Sequence, residues 1–192
     1  MSRIRIIGLA IVAVFAFSVV ASASASAHTF KATAAPTKVT GVQTNNQVFV
    51  AKTGKEVICK NAAASGEAKE PSEEITAQTV NYTECTAFGQ PTKISTAHYK
   101  VSAAGTVEIV EPIVITVEGL GGGCTVTVSG KQTLGTLTFA NEGGKILETS
   151  NVTGIHSKPS GGFCGSATEE FTEGTYTGSI RETAEKGEIS WE

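Results

Sequence analysis

The side chains in this 192-residue chain that could do chemistry are three histidines, four cysteines and 18 acidic residues, every one of them glutamate. The lack of aspartate removes several chemistries at once. EF-hand calcium loops, aspartic-protease dyads and triads oriented by Asp all require it. His28 follows Ala27, the last small residue at which a signal peptide would be cut. Cleavage there would make His28 the N-terminal residue, and its α-amino group and ring could brace a copper ion. His98 or His156 would supply a second imidazole. Paired glutamates offer a second chemistry, acid and nucleophile or base in glycoside hydrolysis. Glu108, Glu111 and Glu118 are the candidates. Glu111 shares the alternation of Val107, Ile109, Ile113 and Ile115, but Pro112 beside it predicts a bend that turns it outward.

Other constellations read as structure. Cys164 and His156, in GIHSKPSGGFCGS, could form a nucleophile pair only if the thiol were free, and export favours oxidation. Glu67, Glu70, Glu73 and Glu74 lie in a small-residue stretch interrupted by Pro71 and read as a solvated acidic loop. Gly119-Leu-Gly-Gly-Gly123 lacks the GK[ST] of a phosphate loop and reads as a turn. Cys59, Cys85, Cys124 and Cys164 include no C-x-x-C, which argues against a zinc knuckle or a redox pair. An even count in an exported chain predicts two disulfides. Three connectivities are possible, and Cys59–Cys85 with Cys124–Cys164 closes the shorter loops.

Export is read from residues 1–27. Arg3 and Arg5 precede an apolar run from Ile6 to Val20, followed by alternating Ala and Ser that offer cleavage after Ala23, Ala25 or Ala27. The run is about 15 residues, short of the ~20 that a spanning helix needs. Residues 28–192 are then expected to form a single secreted or surface-associated domain. Loss of the two arginines moves the formal charge from −3 to about −5. No basic cluster remains to favour nucleic acid. The expected partner is an extracellular protein, a glycan or an envelope component. No cofactor is expected, copper excepted in the His28 reading.

These residues need a scaffold, and the alternation of apolar with Thr, Ser or charged residues predicts strands throughout. Strands are expected over 30–34, 37–43, 47–52, 55–60, 75–85, 93–102, 107–110, 113–118, 124–129, 136–140, 145–148, 152–156, 175–183 and 188–191. Hairpin turns are expected at Thr53-Gly54, Asn141-Glu-Gly-Gly144 and Glu185-Lys186-Gly187, the last joining a terminal hairpin. Residues 61–74 and 157–173 are expected as loops. The fold class is all-β, a single-domain antiparallel sandwich or barrel-like fold of about ten strands. Its centre is the stretch 107–130, where Cys124, Val126 and Val128 should face the core and Thr125 and Thr127 should face out.

From Cys124 onward the sequence resembles a group of uncharacterised secreted β-proteins of soil actinobacteria. The matching features are Cys124-Thr-Val-Thr-Val128, Gln132, Leu134, Leu137-Thr-Phe139-Ala-Asn141, Val152-Thr-Gly-Ile155, Cys164 and Gly174-Thr-Tyr176-Thr-Gly178. Phe30, Pro36, Val39-Thr-Gly41 and Cys59 extend the similarity. The resemblance implies export and an all-β fold, and no particular activity. The function expected is that of an exported, non-enzymatic extracellular or cell-surface module, binding or structural. The alternatives are a copper-binding protein using the His28 brace and an extracellular hydrolase using paired Glu.

Overall fold

A computed structural model describes residues 28–52, 55–69, 74–119, 121, 123–164 and 169–192. The expected signal peptide, the Thr53-Gly54 turn, Glu70 and Glu73 lie outside the described residues. Fifteen strands and no helix occur among the described residues. In order they are β1 (Phe30–Ala32), β2 (Thr37–Gln43), β3 (Gln47–Lys52), β4 (Lys55–Ala68), β5 (Glu74–Ala87), β6 (Gln90–Ile94), β7 (Ala97–Ser102) and β8 (Thr106–Ile109). There follow β9 (Ile113–Val117), β10 (Cys124–Val128), β11 (Gln132–Gly135), β12 (Leu137–Asn141), β13 (Ile146–Ser160), β14 (Phe171–Ala184) and β15 (Ile189–Trp191).

The barrel alternative of the expected fold is the one observed. Antiparallel pairing runs β5–β6–β9–β10–β13–β14–β2–β4, and β4 pairs back onto β5 to close eight strands. Closure removes the unpaired edges that an open sheet would expose. Four long strands, β4, β5, β13 and β14, act as ribs. Short strands lie end to end between them: β2 and β3 both pair with β4 and β14, while β6 and β7 both pair with β5. β7 continues the sheet into β8 and β11, and β12 pairs with the first half of β13.

Strand chemistry follows the alternation. β9 (IVITV) buries Ile113, Ile115 and Val117, and β10 (CTVTV) buries Cys124, Val126 and Val128. They form the expected hairpin, Cys124 opposite Val117. Both cysteine pairs form as favoured, Cys59 with Cys85 and Cys124 with Cys164. Each fully buried Val or Ile contributes about 1.5–3 kcal/mol. Most inward residues belong to one cluster that includes Phe30, Ile189, Phe171 and Cys164, and Ala62, Ala64, Val80 and Ile180 form a second, smaller one.

The ribs are too long to keep one face inward, and each changes phase. β13 turns Ile146, Glu148, Ser150 and Val152 inward, then Ile155, Ser157 and Pro159. The change falls at Gly154, whose φ of 76° sits in a register shift against β14. An L side chain resists that backbone conformation, which is why glycine occupies it. β4 and β5 change phase together near the left-handed Glu84 (φ 52°), so Cys59 and Cys85 face in on one side of it and Ala62, Val80 and Tyr82 on the other.

Several expectations are corrected. Residues 61–68 are not a loop but the second half of β4, paired on both sides with β2 and β5. Their small residues read as loop-like, yet Ala62 and Ala64 are what fits under Val80 and Ile180. The expected strand 93–102 breaks at Ser95-Thr96 into β6 and β7, and 145–148 and 152–156 fuse into β13. Residues 157–160 extend that strand rather than open a loop. The terminal hairpin does not form, because β15 pairs with β1 in a separate two-stranded sheet. Trp191 ties that sheet to the barrel, donating from Nε1 to the Ala103 carbonyl at 2.9 Å and contacting Phe139. Among the described residues no helix is long and apolar enough to cross a membrane.

Candidate functional site

Of the residues singled out from sequence, the cysteines meet in their two pairs, and each histidine meets a different neighbour. His28 stacks on Trp191 with ring centroids 4.3 Å apart. The His98 ring on β7 lies 3.5 Å from the Thr79 hydroxyl, and His156 on β13 lies 3.6 Å from the Glu170 carboxylate. Each thus has its own local partner. No group of three or more His, Cys, Asp or Glu side chains placed to hold a metal occurs among the described residues. The three glutamates proposed for hydrolysis lie on the outer surface. Glu108 pairs with Lys100 at 3.1 Å, Glu118 pairs with Lys93 at 2.5 Å, and Glu111 is exposed at the bend before β9.

The polar chemistry lies inside the barrel. A cavity of about 80 Å³ is lined mainly by Val and Ile from the ribs and from β7 to β10, and by three tyrosines, two glutamines, Glu148 and Ser150. It offers several times the ~10–15 Å³ that one water needs. No lysine, arginine or histidine is among its lining residues.

One side of the cavity carries a directed chain of hydroxyls. Gln47, whose residue is 2% exposed, donates from Nε2 to the carbonyls of Asn45 (3.2 Å) and Ser179 (3.1 Å). Its Oε1 is therefore the acceptor end, and it receives the Tyr176 hydroxyl at 2.5 Å. With that proton committed, Tyr176 accepts from Tyr82 at 3.2 Å, and Tyr82 accepts from Tyr99 at 3.1 Å. Gly178 leaves the space in which the Gln47 amide sits, since a Cβ there would lie 1.8 Å from Gln47 Oε1. The Tyr99 oxygen ends the chain with lone pairs that no donor among the described residues occupies. Burial raises all three phenols above their ordinary range, and the nearby Glu148 charge adds to it.

The other side carries two carboxyls. Glu148 on β13 stands opposite Ile180 and Glu182 on β14 stands opposite Ile146, so the two are diagonal neighbours on the inward face. Gln78 on β5 donates to Glu182 Oε1 at 2.6 Å, and its amide also reaches Glu148, which accepts the Ser150 hydroxyl at 3.4 Å. One oxygen of each carboxyl, Oε2, is buried with no partner among the described residues. Burial pushes Glu148 up to about 7, against the pull of Ser150 and Gln78. Burial, then the Glu148 charge, pushes Glu182 up to about 8. Burial and mutual repulsion both favour the protonated form of carboxyls placed this way.

Sequence reading missed all eight of these polar residues. The signal was present in the alternation: Glu148 shares a face with Ile146 and Val152, and Glu182 shares one with Ile180 and Ala184. A glutamate on the apolar parity of a strand is the mark of a buried carboxyl. Compared with known protein families, curated proteins and solved structures, the chain matches none.

Proposed function

We propose that this chain is an exported, non-enzymatic binding module whose barrel interior takes up one small, mostly apolar molecule. The observation that carries the reading is the cavity itself, walled by Val and Ile, with the unsatisfied Oε2 of Glu148 left for a ligand to meet. A buried polar atom without a partner costs about 1–3 kcal/mol, and a bound group that satisfies it recovers that cost. The two disulfides and the basic-then-apolar N-terminus support an extracellular setting. The cavity suits a compound of a few carbons, well below the roughly 300 Å³ lower end of drug-sized pockets. Extracellular protein, glycan or envelope partners would then meet the outer surface, independently of the interior.

The test is uptake of a small alcohol. Titrating n-butanol into isotope-labelled secreted protein should shift the amides of Val80, Ile115 and Val152 along one saturable curve. Filling the space with Val80→Phe should abolish those shifts. An unsaturable drift, or shifts unaffected by Val80→Phe, would remove the reading.

A further inference from the structure

We infer that the barrel interior is built for a small organic cation, a primary amine on a short apolar tail. The inference rests on the binding reading above and names the ligand class for the same site. Its basis is the sign of the polar groups. At the Glu148 end the cavity presents acceptors: the free Oε2 of Glu148, and the Tyr99 oxygen whose proton is committed to Tyr82. Glu182, joined to Glu148 through Gln78, brings a second buried carboxyl with a free oxygen. The donors present, Gln78 and Ser150, are spent on the other carboxyl oxygens.

Charge points the same way. Every surface glutamate discussed above has a basic partner or open solvent, whereas Glu148 and Glu182, 6% and 1% exposed, have neither. The groups facing them are Gln78 and Tyr82 from β5, Tyr99 from β7 and Tyr176 from β14, all neutral. Buried charges in folded proteins are paired or neutralised. Here a proton neutralises the pair when the site is empty, and an ammonium group would replace that proton. An ammonium has three donors and no acceptor, which matches a set of open acceptors, and tyrosine rings favour cations. A carboxylate ligand would meet repulsion and no donor. A neutral alcohol would satisfy one acceptor and leave the pair's proton in place.

Because the amine displaces a proton, its affinity must rise with pH until the amine itself loses its charge near pH 10. The experiment is calorimetric titration of the secreted protein, both disulfides formed, with n-butylamine and n-butanol in parallel. At pH 8.5 the amine should bind at least tenfold more tightly than the alcohol, and at pH 5.5 the advantage should fall below threefold. Glu148→Gln should remove the amine's advantage over the alcohol at pH 8.5. Glu182→Gln, a second variant should the first not fold, should flatten the pH dependence of amine binding. Equal binding of amine and alcohol at pH 8.5, or an amine preference that survives both variants, overturns the cation inference and leaves the apolar-cavity reading intact. Binding of neither compound overturns both.

Discussion

Glu148 and Glu182 make the residue scale testable without any ligand. Both are raised from 4.5, to about 7 and about 8. Between 4.5 and those values the folded barrel holds protons that the unfolded chain releases. Stability is therefore fullest below about pH 4.5, falls as pH rises to about 8, and levels off above it. Chemical denaturation at pH 4.5, 6 and 8 should show that order, and Glu148→Gln should flatten it. A midpoint that rises over the same range would contradict the buried pair. Tyr82 gives a second prediction. Tyr82→Phe would strand the Tyr99 donor and leave Tyr176 without its donor, so the expected loss is about 1–3 kcal/mol by urea denaturation. These residues were only partly legible in the sequence. Alternation places Glu148 and Glu182 on apolar parity, but it does not say that two separate strands set them side by side. Gln78 and Tyr99 come from other parts of the chain, and only the closed barrel brings them to the pair.

At the scale of elements, the β9–β10 hairpin was readable because its alternation is unbroken and its cysteine shares the parity of Val126 and Val128. The ribs were not. The expected break in β13 at 149–151 falls where Ser150 puts a polar side chain on the inward face, and the alanines of β4 hid a strand paired on both edges. Composition describes a residue's own preference, while a strand buried between neighbours is chosen by what fits. Gly154→Ala tests the bulge. Forcing a Cβ into the left-handed region costs about 1–2 kcal/mol, and the amide shifts should concentrate at Thr153–Ile155 and the facing Gly174. A neutral effect with unshifted amides would show that β13 passes Gly154 without the bulge.

For the molecule as a whole, closure depends on pairings between distant segments, β14 with β2 and with β3. Barrels of this kind pay loop-closure entropy before those contacts form. The Cys59–Cys85 bridge joins two adjacent ribs and limits what the unfolded chain can explore. Replacing both cysteines with alanine should cost about 2–4 kcal/mol in denaturant unfolding, and a loss under ~0.5 kcal/mol would deny the bridge a stabilising role. The class of fold was legible because strand alternation is local. The choice of a barrel over a sandwich was not, since it depends on β14 finding β2 across most of the chain.

The chain has three tyrosines and one tryptophan, and the fold separates them completely. Every tyrosine belongs to the hydroxyl chain in the cavity, and the tryptophan sits on the terminal two-stranded sheet beside His28. The protein thus carries two optical channels with no cross-talk in their origin. Phenol absorbance and near-ultraviolet circular dichroism below the indole band report the interior. Indole emission reports the junction of β1 with β15. An alkaline scan would read both at once: tyrosinate absorbance should stay silent through pH 10 and then appear in one step with the loss of indole polarisation, as the barrel opens. Gradual phenol ionisation centred at pH 10 would mean that the tyrosines are in water.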